Sequence, residues 1–131
     1  MSQSTNDVYP TALKLATYAG IYRLVDAMAY LRTAFERKAA EFGDVLKMGR
    51  TQLQDAVPMT LGQEFSTYAV MLEEDEDRLK EAAQLIREIN LGATAIGTGI
   101  NAHPDYAALA CRHLAEPARI AQCGTVDFSQ L

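Results

Sequence analysis

Tryptophan is absent from this 131-residue chain, and cysteine, histidine and proline are scarce, with two, two and four copies. The cysteines, Cys111 and Cys123, make no CxxC pair, so the sequence carries neither a redox motif nor half of a zinc site. Reduced thiols in a cytoplasmic protein are the expectation. His103 and His113 lack the i,i+4 partner that would set two ligands on one helix face, and no metal site is expected. Cations are outnumbered, 12 Lys and Arg against 17 Asp and Glu, for a net charge of −5. Phosphate binding needs clustered Lys and Arg, so nucleic acid is excluded as an expected partner. No apolar run approaches the ~20 residues that cross a bilayer, and a membrane partner is excluded with it. The start, Met1-Ser2-Gln3-Ser4, offers neither the basic flank nor the apolar core of a secretory leader.

What the chain does have is apolar content, 49% of residues, arranged at helical spacing. Ser2 to Tyr9 is a polar entry segment whose side chains suit the cap of a helix, with Asp7 the best capping candidate and Pro10 suited to a first turn. From about Thr11 to Phe42, Ile21, Leu24, Met28, Leu31, Phe35 and Phe42 fall on one face. A second helix is expected from about Thr60 to Asn90. Its start, Thr60-Leu61-Gly62-Gln63, has the capping-box pattern, and its stripe is Phe65, Tyr68, Leu72, Leu79, Ala82, Ile86 and Ile89. Asp75 occupies a stripe position, and the rest of the acidic run Glu73–Asp77 reads as a solvated face. Asn90 to Pro104, GATAIGTGINAHP with its lead-in, is a glycine- and threonine-rich loop whose backbone N–H groups could approach an anion. A short third helix over Asp105–Glu116 is expected to stop at Pro117, and Ala118–Leu131 shows no clean periodicity. The expected fold is all-α: two long antiparallel helices joined by an irregular polar insert, plus a short third helix, in one partial domain spanning residues 1–131.

The insert, Asp44 to Met59, is the chemically rich part, with short extended pairing expected around Val45–Met48 and Ala56–Pro58. The stretch GRTQLQDAVPMTLGQ at Gly49–Gln63 interrupts helix at Gly49 and Pro58. It carries Arg50, Thr51, Gln52, Gln54 and Asp55: one cationic fork, one hydroxyl, two amides and one carboxylate. That inventory could hold a small dicarboxylate. On composition alone the better reading is a polar connector whose hydrogen bonds hold only its own backbone.

Three segments together give the chain a specific likeness. STND at Ser4–Asp7, GRTQLQDAVPMTLGQEF at Gly49–Phe65 and GATAIGTGIN at Gly92–Asn101 resemble, in this order and spacing, the central part of the aspartase/fumarase family. The likeness covers Ser2 to about Ala115. Fumarases of this family usually carry His where this chain has Gln52, so the sequence is more similar to the aspartase branch. The resemblance implies a helical bundle, a homotetramer with sites shared between subunits, and elimination of ammonia from L-aspartate to give fumarate. It implies no organic cofactor, with magnesium or another divalent cation as an activator in some members. Residue by residue, it places Ser4 and Thr5 on the β-carboxylate, Asn6 near the leaving amino group, Thr51 on the α-carboxylate and Gln52 beside the departing group. Arg50 and Asp55 read as a structural ion pair.

Departures from the family pattern are as specific. The serine base of a GSSxMPxKxN-like motif occurs nowhere in Met1–Leu131, nor does the family's N-terminal domain. No catalytic residue is therefore expected in this chain, and the isolated chain is expected to be inactive. Two other functions remain open: fumarate hydration to malate, and a non-catalytic oligomerisation module.

Overall fold

The computed structural model describes residues 3–118. Its elements are α1 (Thr5–Glu41), β1 (Leu46–Thr51), β2 (Gln54–Thr60), α2 (Leu61–Leu85) and α3 (Tyr106–Ala118). The chain is mostly helical, as expected, and the insert turns out to be regular. Its internal contacts fall into two compact units, one of Tyr22–Lys80 and one drawn from Met1–Ile21 with Glu81–Leu131.

In the unit of Tyr22–Lys80, α1 and α2 run antiparallel. Phe35 meets Phe65 and Tyr68 at ring-centroid distances of 5.9 and 5.5 Å, Phe42 meets Phe65 at 5.7 Å, and Arg32 Nε donates to Glu76 Oε1 at 3.0 Å. Residue numbers rise along one helix as they fall along the other. The corner is sealed by glycine: a Cβ on Gly62 would stand 2.5 Å from the Ala39 carbonyl oxygen and 2.8 Å from Gly43 Cα. Helix α2 begins with the expected capping box. Thr60 Oγ1 accepts from the Gln63 N–H at 3.1 Å, and Gln63 Oε1 accepts from the Thr60 N–H at 2.9 Å.

The buried columns differ from the expected stripes by one residue in each helix. Ile21, Met28, Phe35 and Phe42 are half-buried as expected. The column beside them on α1 is Val25, Arg32 and Ala39, while Leu24 and Leu31 are 51% and 45% exposed. On α2, Phe65, Leu72 and Leu79 keep their place, but Ala69, Glu76 and Ala83 are buried instead of Tyr68, Asp75 and Ala82. Small alanines let the helices approach, and Glu76 (4% exposed) is tolerated because Arg32 meets it. Glu76 first and Glu36 second hold the Arg32 guanidinium more firmly protonated than usual, through hydrogen bonds. Asp75, expected in the stripe, lies on the solvated face instead, paired with Arg78 at 3.0 Å, and Glu76, expected on that face, is the buried one.

Other boundaries also move. Helix α1 starts six residues before the expected Thr11, because Ser4–Asp7 already caps it; α2 ends at Leu85 rather than near Asn90. Pro117 lies within α3 rather than stopping it. The expectation for the tail beyond Ala118 lies outside the described residues. Cys111 is buried and disulfide-bonded, which corrects the expected reduced thiol there. Motif spacing tests for CxxC sites, whereas a disulfide depends on a Cα separation of about 4.4–6.8 Å that only tertiary structure sets. The Cys111 Sγ lies 3.7 Å from the Leu91 carbonyl oxygen, a contact without a hydrogen between them.

Candidate functional site

The start of α1 is built by its own side chains. Ser4 Oγ accepts from the Asn6 N–H at 3.2 Å, and Asp7 Oδ1 accepts from the Ser4 N–H at 3.2 Å. That reciprocal cap confirms the capping reading of Asp7. Asp7 does more than cap. Its other oxygen, Oδ2, accepts from the Gly92 N–H at 3.1 Å and the Thr94 N–H at 3.0 Å, and the residue is wholly buried at 0% exposure. The anion approached by the glycine-rich loop is therefore the chain's own carboxylate.

Neighbouring residues repeat the link. Asn6 Nδ2 donates to the Ala95 carbonyl at 2.9 Å, Asn90 Nδ2 donates to the Asn6 carbonyl at 3.1 Å, and Lys14 Nζ donates to the Glu88 carbonyl. Pro10, in the second turn of α1, explains why the Asn6 carbonyl is free. A residue four places on normally donates to that oxygen, and proline has no N–H to give. Asn90 takes the vacant place. The loop needs left-handed backbone at Gly92, Gly97 and Gly99, and also at Thr94 with φ of 65°. At Gly92 a Cβ would come within 2.4 Å of Ala107 Cβ, so only glycine fits.

Ser4 and the loop enclose an open cavity of about 400 Å³ whose lining includes Gln3, Ser4, Thr94, Thr98 and Asn101. Thr5 and Asn6 follow on the exposed first turn. The three expected substrate residues of this segment, Ser4, Thr5 and Asn6, are thus consecutive at one helix start beside this cavity, which Ala95, Ile96 and Ile100 also line. Thr98 and Asn101 were legible only as loop residues. Nothing in their spacing announced that the loop folds back 90 residues to meet Ser4.

Thr51 and Gln52 belong to the other unit, at the tip of an antiparallel hairpin. The register pairs Leu46 with Thr60, Met48 with Pro58, Arg50 with Asp55 and Thr51 with Gln54, with a bulge in β2 where Ala56 and Val57 together oppose Gly49. A Cβ at Gly49 would lie 2.9 Å from the Val57 carbonyl oxygen, so the strand facing the bulge needs glycine there. The expected short pairing thus extends through the whole polar stretch. Gln52 and Leu53 form the two-residue turn, both at positive φ (50° and 63°). Asn-Gly is the usual choice for such a turn, and two side-chain-bearing residues are strained there. Both Thr51 and Gln52 are exposed, and Leu53 is 99% exposed. Arg50 Nε meets Asp55 Oδ1 at 3.1 Å across the strands, the structural pair expected.

Among the described residues, no group of three or more His, Cys, Asp or Glu is arranged to hold a metal ion. No described helix is long and apolar enough to cross a membrane.

Comparison with known proteins gives a consistent picture. Residues 1–127 match the family model described as lyase. The chain is 63% identical over 108 residues to the aspartate ammonia-lyase of Helicobacter pylori (strain ATCC 700392 / 26695), covering 82% of this chain and 23% of that protein. It is 51% identical over 133 residues to the aspartate ammonia-lyase of Bacillus subtilis (strain 168), covering 99% of this chain and 28% of that one. Among solved structures, the cobalt-bound fumarate lyase:delta crystallin of Brucella melitensis superposes with a TM-score of 0.90 at 53% identity, covering 96% of this chain and 27% of that one. The class II fumarase of Schistosoma mansoni gives 0.82 at 35% identity, covering 90% and 25%. The chain spans about a quarter of the length of the relatives it matches.

Proposed function

The chain belongs to the lyase family whose model it matches over residues 1–127, and from that premise we propose that it is one partial domain of an aspartate ammonia-lyase. The reaction is the reversible elimination of ammonia from L-aspartate to fumarate. Its hard step removes a proton beside the β-carboxylate, giving an aci-carboxylate whose charge spreads over the carboxylate oxygens. Fixed donors around that group lower the barrier most. Ser4 and Thr5 hold the β-carboxylate, Thr51 the α-carboxylate, and Gln52 lies beside the departing group. The base is the family's serine, which this chain does not contain.

The observation that carries the substrate choice is the amide of Asn6. A backbone carbonyl can only accept, so the atom facing Ala95 O at 2.9 Å is the amide nitrogen. The Asn6 Oδ1 is then an acceptor, suited to the donors of an ammonium group. Fumarate hydration is the second reading, favoured by the likeness to the Schistosoma mansoni fumarase and opposed by Gln52. A non-catalytic oligomerisation module is the third, opposed by Ser4, Thr5, Asn6, Thr51 and Gln52, which a pure scaffold does not require all together.

Homo-oligomerisation, as a tetramer, is part of the proposal. Leu24, Leu31 and Tyr68 leave apolar columns on the faces of both long helices open to solvent, and such surface seeks a partner. No organic cofactor is invoked, and magnesium or another divalent cation enters the proposal only as an activator. Cytoplasmic placement also remains a proposal, and with Cys111 in a disulfide it draws nothing from the cysteines. The test is a pair of assays on the complete protein in which this sequence occurs. Fumarate should form from L-aspartate and not from L-malate; formation from malate alone would establish the hydratase, and from neither the scaffold.

A further inference from the structure

We infer that Asp7 is a positioning residue for the elimination: its buried carboxylate fixes Ser4, Thr5 and Asn6 by tying the start of α1 to the loop Gly92–Thr94. The inference rests on the aspartase reading and adds to it a residue that touches no substrate. Its basis is geometric. Three backbone N–H groups converge on one carboxylate, from Ser4 at 3.2 Å, Gly92 at 3.1 Å and Thr94 at 3.0 Å, and no part of Asp7 reaches solvent. A helix cap by itself needs only the first of these bonds. The other two reach 85 and 87 residues along the chain and hold Thr94 at φ of 65°. Ala95, directly after this pinned residue, provides the carbonyl that orients the Asn6 amide. Asp7 thus governs both ends of the contact: the helix turn that bears Asn6 and the loop that aims it.

Donors that stabilise an aci-carboxylate act through placement, and a small misplacement costs transition-state binding more than ground-state binding. Asp7→Asn tests this. One of its two terminal atoms becomes a donor, so either the Ser4 N–H or the Gly92 and Thr94 N–H groups face another donor in place of an acceptor. The complete protein is assayed with two inhibitors whose Ki values do not depend on the fraction of active enzyme. One is the nitronate of the aspartate analogue bearing a nitro group for its β-carboxylate, which resembles the carbanion. The other is succinate, which resembles the ground state.

Asp7→Asn is expected to weaken the nitronate by about tenfold or more and succinate by less than about threefold. Equal weakening of both, or of neither, overturns the role of Asp7. If Asp7→Asn does not assemble like the wild type, Thr94→Gly replaces it. That change keeps the N–H bonded to Asp7 but releases the loop from its side-chain-bearing left-handed residue. A nitronate-to-succinate ratio raised by about threefold is then expected, and an unchanged ratio overturns the proposal. Wild-type protein that turns over no L-aspartate overturns the aspartase reading and this inference with it; an active wild type with an unchanged variant ratio overturns this inference alone.

Discussion

Pro10 and Asn90 are coupled through an oxygen that belongs to neither. Because Pro10 cannot donate to the Asn6 carbonyl, the Asn90 amide does so at 3.1 Å. Removing that amide in Asn90→Ala leaves the carbonyl without its donor and should cost about 1 kcal/mol. In a Pro10→Ala background the new N–H reaches the same oxygen, so Asn90→Ala should cost less than about half as much. A double-mutant cycle from urea melts measures the difference; strictly additive effects would refute the coupling. The hairpin tip offers a second residue-scale test. Leu53 makes its turn at φ of 63° and is almost wholly exposed. Leu53→Gly removes strain without removing packing and should raise stability by about 1 kcal/mol, read as a higher melting temperature.

The elements show what a sequence can and cannot disclose. Both long helices and the Thr60–Gln63 cap were legible, since apolar spacing and capping residues are local signals. The first column of each seam, Met28–Phe35–Phe42 and Phe65–Leu72–Leu79, was legible too. The second column was misplaced by one residue in both helices, in the same direction. Leu31 and Tyr68 look more like core than Arg32 and Ala69, and hydrophobicity in one helix carries no record of its partner. Glu76 is acceptable inside because Arg32, half-buried and also paired with Glu36, reaches it. The Asp7 links to Gly92 and Thr94 were hidden for the same reason, while its local capping bond was not. A test at this scale lies where α2 passes α1. Gly62→Ala places a Cβ 2.5 Å from a backbone oxygen and 2.8 Å from a backbone carbon, neither of which can swing away. We expect a loss of roughly 1–3 kcal/mol, measured by denaturant titration; an unchanged midpoint would mean the helices approach less closely than described.

At the scale of the whole molecule, the exposed columns at Leu24, Leu31 and Tyr68 set the expectation for association. The chain should sediment as an oligomer at micromolar concentration, and Leu31→Glu should shift it towards monomer by charging an apolar contact. A wild-type chain that sediments as a folded monomer would refute this. The 131-residue chain alone should release no fumarate from L-aspartate, since the family's base is missing from its sequence.

The Asp7 tie also places a demand on biosynthesis. Tyr22–Lys80 is a continuous stretch, and its ties such as Lys47 to Glu64 and Arg32 to Glu76 close over 17 and 44 residues. Asp7 must wait for residues 85 and 87 places later. At a translation rate of about 5–20 residues per second, that wait lasts roughly 4–17 seconds. Until then the carboxylate that ends up wholly enclosed lacks two of its three N–H partners, and the first turn of α1 has only its local cap. The turn that bears Ser4, Thr5 and Asn6 is made before the loop that fastens it.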